Sequence, residues 1–133
     1  MPVMKRLLLI LAVPLALVGF TYVVVPAMLA HWLTTADPYP SFMADWHSPR
    51  LYADLESSFD QFVAQHFPIG SNAQEAIAKI GEEFRVLASK EGLHLFTGHR
   101  HAGPCGEDYS IRLRENSDGA IAEISGRVRH RCL

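Results

Sequence analysis

Residues 7–49 contain neither Lys nor Arg, and the whole chain of 133 residues contains only two cysteines. A general nucleic-acid binder would normally show a basic excess. Here twelve Lys and Arg stand against fourteen Asp and Glu, a formal charge of −2, so no nucleic-acid partner is expected. No Gly-x-Ser-x-Gly, His-Glu-x-x-His or Gly-x-Gly-x-x-Gly occurs, which removes common signatures of a serine hydrolase, a zinc protease and a dinucleotide fold. Nor is there a close Cys-x-x-Cys pair. Glu82 and Glu83 are adjacent and diverge by ~100° on a helix, so they are not a paired acid and base. His66 falls at the edge of an amphipathic helix, a poor place for a general base. The sequence points away from catalysis and toward no cofactor.

What is abundant lies at the start. Leu7 to Ala30, "LLLILAVPLALVGFTYVVVPAMLA", has no charge. A helix of that length spans ~36 Å, enough for a ~30 Å hydrocarbon layer. Pro14, Gly19 and Pro26 are costly inside soluble helices but tolerated in membrane ones. Lys5 and Arg6 precede the run and the next basic residue is Arg50, so the N-terminus is expected in the cytoplasm. Tyr22, Trp32 and Tyr39 lie toward the far end, where amphipathic rings favour the membrane interface. A cleaved signal peptide fits less well: the run exceeds the usual ~7–15 residues, Met28 and Ala30 make a poor cleavage site, and Thr34 and Ala36 lie well beyond it. The expectation is a single-pass anchor in the inner (cytoplasmic) membrane, in contact with the bilayer through residues 7–30. Everything from about residue 31 is then outside the cytoplasm.

"HWLTTADPYPSFMADWHSP" (31–49), with three prolines, reads as a linker. Leu51, Leu55, Phe59, Phe62, Val63 and Phe67 recur at helical spacing over 50–67, and Pro68 ends that helix. A second helix is predicted over 70–81. Ser71 with Gln74 makes a capping-box pattern, and Ala73, Ala76, Ile77 and Ile80 form the buried stripe. A break near Gly81 is favoured over continuation to Gly92. The period then becomes two: "LHLFTGHRH" (93–101), "YSIRLREN" (109–116) and "AIAEISGRVRHRC" (120–132), the last two joined by an Asp-Gly turn. The fold class is α+β, two helices packed on a three-stranded antiparallel sheet, with an anchor at 1–30, a linker at 31–49 and a domain at 50–133.

"FPIGSNAQEAIAKIG" is an aromatic–Pro–x–Gly–Ser lead into a short helix. With the late hairpin "SDGAIAEISG" and a Cys near the C-terminus, residues 59–133 resemble the BamE/SmpA-like small envelope domains. The resemblance implies helices against a three-stranded sheet and action through protein contacts rather than catalysis. The lipid-acceptor Cys of the outer-membrane assembly branch is missing here.

The C-terminal stretches "HRHAGPC" and "RHRC" gather His99, His101, Cys105, His130 and Cys132. A metal could draw on the three histidines with reduced thiols. Outside the cytoplasm disulfides persist, and two cysteines allow one connectivity, so Cys105–Cys132 is expected as a bond and no metal is assigned. In "IRLR" and "GRVRHR" the residues Arg112, Arg114, Arg127, Arg129 and Arg131 alternate with apolar positions and fall on one sheet face. They read either as a solvated surface balanced by Glu115 and Glu123, or as a docking face for an acidic protein or for oxyanions of envelope polymers. The function expected is a membrane-anchored, non-catalytic protein that binds another envelope protein, of unread identity, through this surface. The alternatives are an inhibitor or immunity protein against an exported enzyme and, third, a His/Cys metal-binding envelope protein.

Overall fold

The computed structural model describes residues 13–14, 16–46 and 54–132. Lys5 and Arg6, the first residues of the apolar run, and the Arg50–Ala53 start expected for the first amphipathic helix lie outside them. The chain divides into two compact units, one ending at Thr35 and one beginning at Ala36.

The first unit is a helix, α1 (Ala16–Thr34), 19 residues with mean hydropathy 1.7, long and apolar enough to cross a membrane by length and composition. Pro26 has no N–H to give to the carbonyl four residues earlier. Just ahead of it the helix widens over Phe20–Val24, where the Val25 N–H reaches the Phe20 carbonyl. That wider turn is the local adjustment by which a helix of this kind admits proline. The hydroxyls of Thr21 and Thr34 donate back to Leu17 O at 2.9 Å and Ala30 O at 2.8 Å, so these polar groups stay satisfied within the helix.

The second unit holds α2 (Leu55–His66), α3 (Ala73–Gly81) and the strands β1 (Arg85–Lys90), β2 (Leu93–Ala102), β3 (Cys105–Glu115) and β4 (Ile121–Cys132). The strands form one antiparallel sheet in the order β1-β2-β3-β4. Leu55, Phe59 and Val63, one turn apart on α2, are buried, and Phe67 follows them into the core. In α3 the buried residues are Ala73, Ala76 and Ile80. Its cap is Asn72, one residue later than the capping-box pattern suggests. The Asn72 Oδ1 accepts from Gln74 N at 2.9 Å and Glu75 N at 3.2 Å, while the Ser71 hydroxyl donates to Pro68 O.

The expected three strands are four. After α3 ends at Gly81 the chain turns, buries Phe84 and runs out as β1. All six β1 residues are exposed, so no alternation of burial marks it as a strand. What makes the strand is the Glu91-Gly92 turn. Both residues have positive φ, 53° and 76°, and they join Lys90 directly to its partner Leu93. That is the two-residue hairpin geometry whose twist suits flanking strands.

The core lies between the helices and one sheet face. Phe96, Tyr109, Ile111, Leu113, Ile124 and Val128 point into it from β2, β3 and β4. Gly126 lets α2 approach closely: a Cβ there would stand 2.9 Å from Val63 Cγ2 and 3.0 Å from the Phe59 ring. The Gly126 N–H, on the outer edge of the sheet, donates to Asp60 Oδ1 at 2.8 Å, so α2 covers the β4 edge.

The stretch expected as a linker contributes to the core from residue 36 onward. Phe42, Met43 and Trp46 are buried, and Trp46 packs edge-on against Phe59 and Tyr109. Ala36 pairs with Ala102, and the Asp37 N–H donates to His101 O at 2.8 Å, which closes β2 where β1 no longer reaches. Prolines at 38 and 40 keep the start of this strap out of a helix, a single 3-10 turn follows over Ser41–Met43, and Phe42, Met43 and Trp46 are buried.

Candidate functional site

Register and pleat sort the sheet into two faces. Across the face opposite the core run the rows Leu95–Arg112–Ser125, Thr97–Ser110–Arg127, His99–Asp108–Arg129 and His101–Gly106–Arg131, with Arg114 opposite Glu123. Arg112, Arg114, Arg127, Arg129 and Arg131 therefore occupy one face, and all five are exposed. A groove of about 320 Å³ runs over it, lined among others by Leu87, Leu95, Thr97, Ser110, Arg112 and Ser125.

Three arginines form ion pairs. Arg114 lies 3.6 Å from Glu123, Arg127 lies 3.7 Å from Glu56, and Arg131 pairs with Asp108. Such exposed pairs contribute about 0–1 kcal/mol each. Arg112 and Arg129 have no ion pair among the described residues. His99 Nδ1 stands 2.8 Å from Asp108 Oδ1. This hydrogen bond, with the Arg131 pairing, holds the Asp108 carboxyl below its ordinary pKa against a smaller opposing effect of burial.

The core-facing side of the same strands carries a charge cluster of residues outside the sequence-derived candidates. Glu107, only 6% exposed in its side chain, accepts from Arg100 Nη1 at 2.9 Å and from the Tyr109 hydroxyl, and its other oxygen lies 3.6 Å from His130 Nδ1. Arg100 also donates from Nε to Asp37 O at 2.7 Å, and its guanidinium lies 3.9 Å from the centroid of the Tyr39 ring. Burial, first, and then Glu107 push the Tyr109 phenol well above its ordinary pKa, so it stays a donor. A parity count finds this cluster: Arg100 is in phase with Phe96 and Gly98, and Glu107 with Tyr109, Ile111 and Leu113. Both charges therefore point inward.

Beyond the cluster, Cys105 and Cys132 face each other on β3 and β4 and are joined, with Cα atoms 4.0 Å apart. They close a loop of 27 residues in sequence separation, which by loop-closure entropy is worth on the order of 3–4 kcal/mol. The histidines divide between the faces. His99 and His101 share the arginine side, with ring centroids 6.1 Å apart, while His130 lies on the Glu107 side. They do not converge into one all-histidine site.

No protein-family model, curated protein or solved structure matches this chain.

Proposed function

We propose that the protein is a membrane-anchored, non-catalytic component of a cell envelope that binds an acidic envelope protein through its arginine face. One observation carries the reading. The five arginines occupy the face of the sheet opposite the core, and two of them, Arg112 and Arg129, form no ion pair among the described residues, although Asp108 stands across the strand from Arg129. Arginine forks fit carboxylates in pairs, and a face with an excess of positive charge steers acidic partners toward it. The groove beside Arg112 and the exposed Leu87, 69% accessible, supply apolar contact at its margin. The apolar α1 supports a membrane anchor, and Lys5 and Arg6 ahead of it, with the next basic residue at Arg50, support a cytoplasmic N-terminus with the domain on the other side. The resemblance of residues 59–133 to BamE/SmpA-like domains supports an accessory role through protein contacts.

A photo-crosslinking residue placed at Ser110 in the full chain, in intact cells, tests this reading. It is expected to trap one acidic envelope protein, while the same probe at Ala78, exposed on α3, traps none. Equal yields from both positions would remove the arginine face from the account.

A further inference from the structure

We infer that the end of the sheet is a metal site when its disulfide is reduced, taking a thiophilic divalent cation of the zinc type on Cys105, Cys132 and His130. The register brings them together. Cys105 is opposite Cys132, and His130 shares the face of Cys132 two residues earlier on β4. One ligand atom from each of the three already lies within 4.8 Å of the others. Zinc holds sulfur at ~2.3 Å and nitrogen at ~2.0–2.1 Å, so tetrahedral ligands stand roughly 3.4–3.8 Å apart. The two sulfurs, bonded to each other in the disulfide, move apart on reduction to reach that spacing, and the His130 imidazole closes on them.

The surroundings suit a dication. Two thiolates and a neutral imidazole balance its charge, and Arg100 separately balances Glu107. Glu107 stands behind His130, its Oε1 3.6 Å from Nδ1. A carboxylate against a ligand histidine fixes ring orientation and raises its basicity. Cys132 is exposed, so reductant and metal have access. Three protein ligands leave a fourth position to water or to a donor from a partner.

The chemistry balances. A dithiol reductant gives two electrons and two protons: the S–S bond breaks, two thiols form, and the dithiol becomes a disulfide. Metal binding then releases both thiol protons to solvent as two metal–sulfur bonds form. Translation delivers both cysteines as thiols, so a chain that folds before the bond closes holds the three ligands together in reduced form. A disulfide oxidant reverses the step by thiol–disulfide exchange: its own S–S bond breaks, takes up the two electrons and two protons from solvent to become two thiols, and the cation leaves as the Cys105–Cys132 bond forms.

The test uses the full chain in detergent, reduced with a phosphine under argon and titrated with Co²⁺ as the probe. One Co²⁺ per chain is expected, with thiolate-to-cobalt charge-transfer absorption and a tetrahedral visible band, both erased by one equivalent of Zn²⁺. The oxidised chain is expected to show neither. His130→Ala is expected to weaken Co²⁺ binding by at least about tenfold, and Glu107→Gln by about 10–100-fold. Far-UV circular dichroism follows folding in parallel, and if reduction loosens the sheet, Zn²⁺ is expected to restore it. A reduced chain that gives no charge-transfer band and no recovery of structure overturns the inference. So does a His130→Ala chain that binds as tightly as the wild type, because two thiols alone then account for the metal.

Discussion

Arg100 and Glu107 face each other from directly paired positions on β2 and β3, and Arg100 Nη1 donates to Glu107 Oε2 at 2.9 Å. Their side chains are 12% and 6% exposed, so the pair sits in the interior beside Tyr109. Taking a charge out of water costs several kcal/mol, and the partner offsets that cost only while it is present.

Removing one partner is therefore worse than removing both. Arg100→Ala is expected to destabilise the domain by about 3–5 kcal/mol, because Glu107 is left buried with its charge unmatched. The double variant Arg100→Met with Glu107→Leu is expected to recover most of that loss. Thermal unfolding followed by the fluorescence of buried Trp46 reads both. A double variant no more stable than Arg100→Ala would mean that packing, rather than charge, holds this corner.

The same cluster sets the alkaline behaviour. The folded-state pKa of Tyr109 is raised by burial and by Glu107. A raised folded pKa gives stability that is complete below the unfolded value, about 10 for tyrosine, and is lost as pH rises beyond it. Unfolding free energy is therefore expected to fall with increasing pH above about 10. Tyr109→Phe removes the ionisable group and is expected to flatten that fall, at the cost of one hydrogen bond at neutral pH. An unchanged slope in denaturant titrations above pH 10 would show that the phenol ionises in the folded protein without penalty.

Much of this fold is legible from spacing alone. The stripe Leu55, Phe59, Val63 marks α2, Pro68 its end, and Tyr109, Ile111, Leu113 with Ile124 and Val128 mark the inner face of β3 and β4. β1 escapes because it is an edge strand with every residue exposed, and because the acidic Glu91 takes a left-handed conformation that Asn or Gly more often adopts. The strap at 36–46 escapes because the three prolines of residues 31–49 resemble a tether, whereas burial of Phe42, Met43 and Trp46 is decided by contacts far away in sequence. The disulfide follows from having only two cysteines, and the five arginines follow from parity. Arg100 and Glu107 do not, because a charge on a strand is read as solvent-facing by default, although parity with Phe96 and Tyr109 places both inward.

Close packing makes a prediction at Gly126. Its Cβ-equivalent position lies 2.9–3.0 Å from Val63 and Phe59, so Gly126→Ala forces α2 away from β4. Overpacking of this kind costs about 1–3 kcal/mol. Gly81 has nothing within 4 Å of the same position and sits in α3, so Gly81→Ala is expected to be neutral or stabilising by up to about 1 kcal/mol. Comparing the thermal midpoints of the two variants checks this, and equal shifts would contradict the close approach of α2.

Charge reversal with the crosslinking probe held at Ser110 asks whether the arginine face is the working surface. Arg112, Arg114 and Arg129 are exposed on the face away from the core, so changing all three to Glu is expected to leave the thermal midpoint within a few degrees. The Ser110 adduct with the acidic envelope protein is expected to disappear in that variant, and to weaken only partly when the same residues become Lys if charge alone is recognised. An adduct formed by the folded triple-Glu chain in wild-type yield would contradict the account.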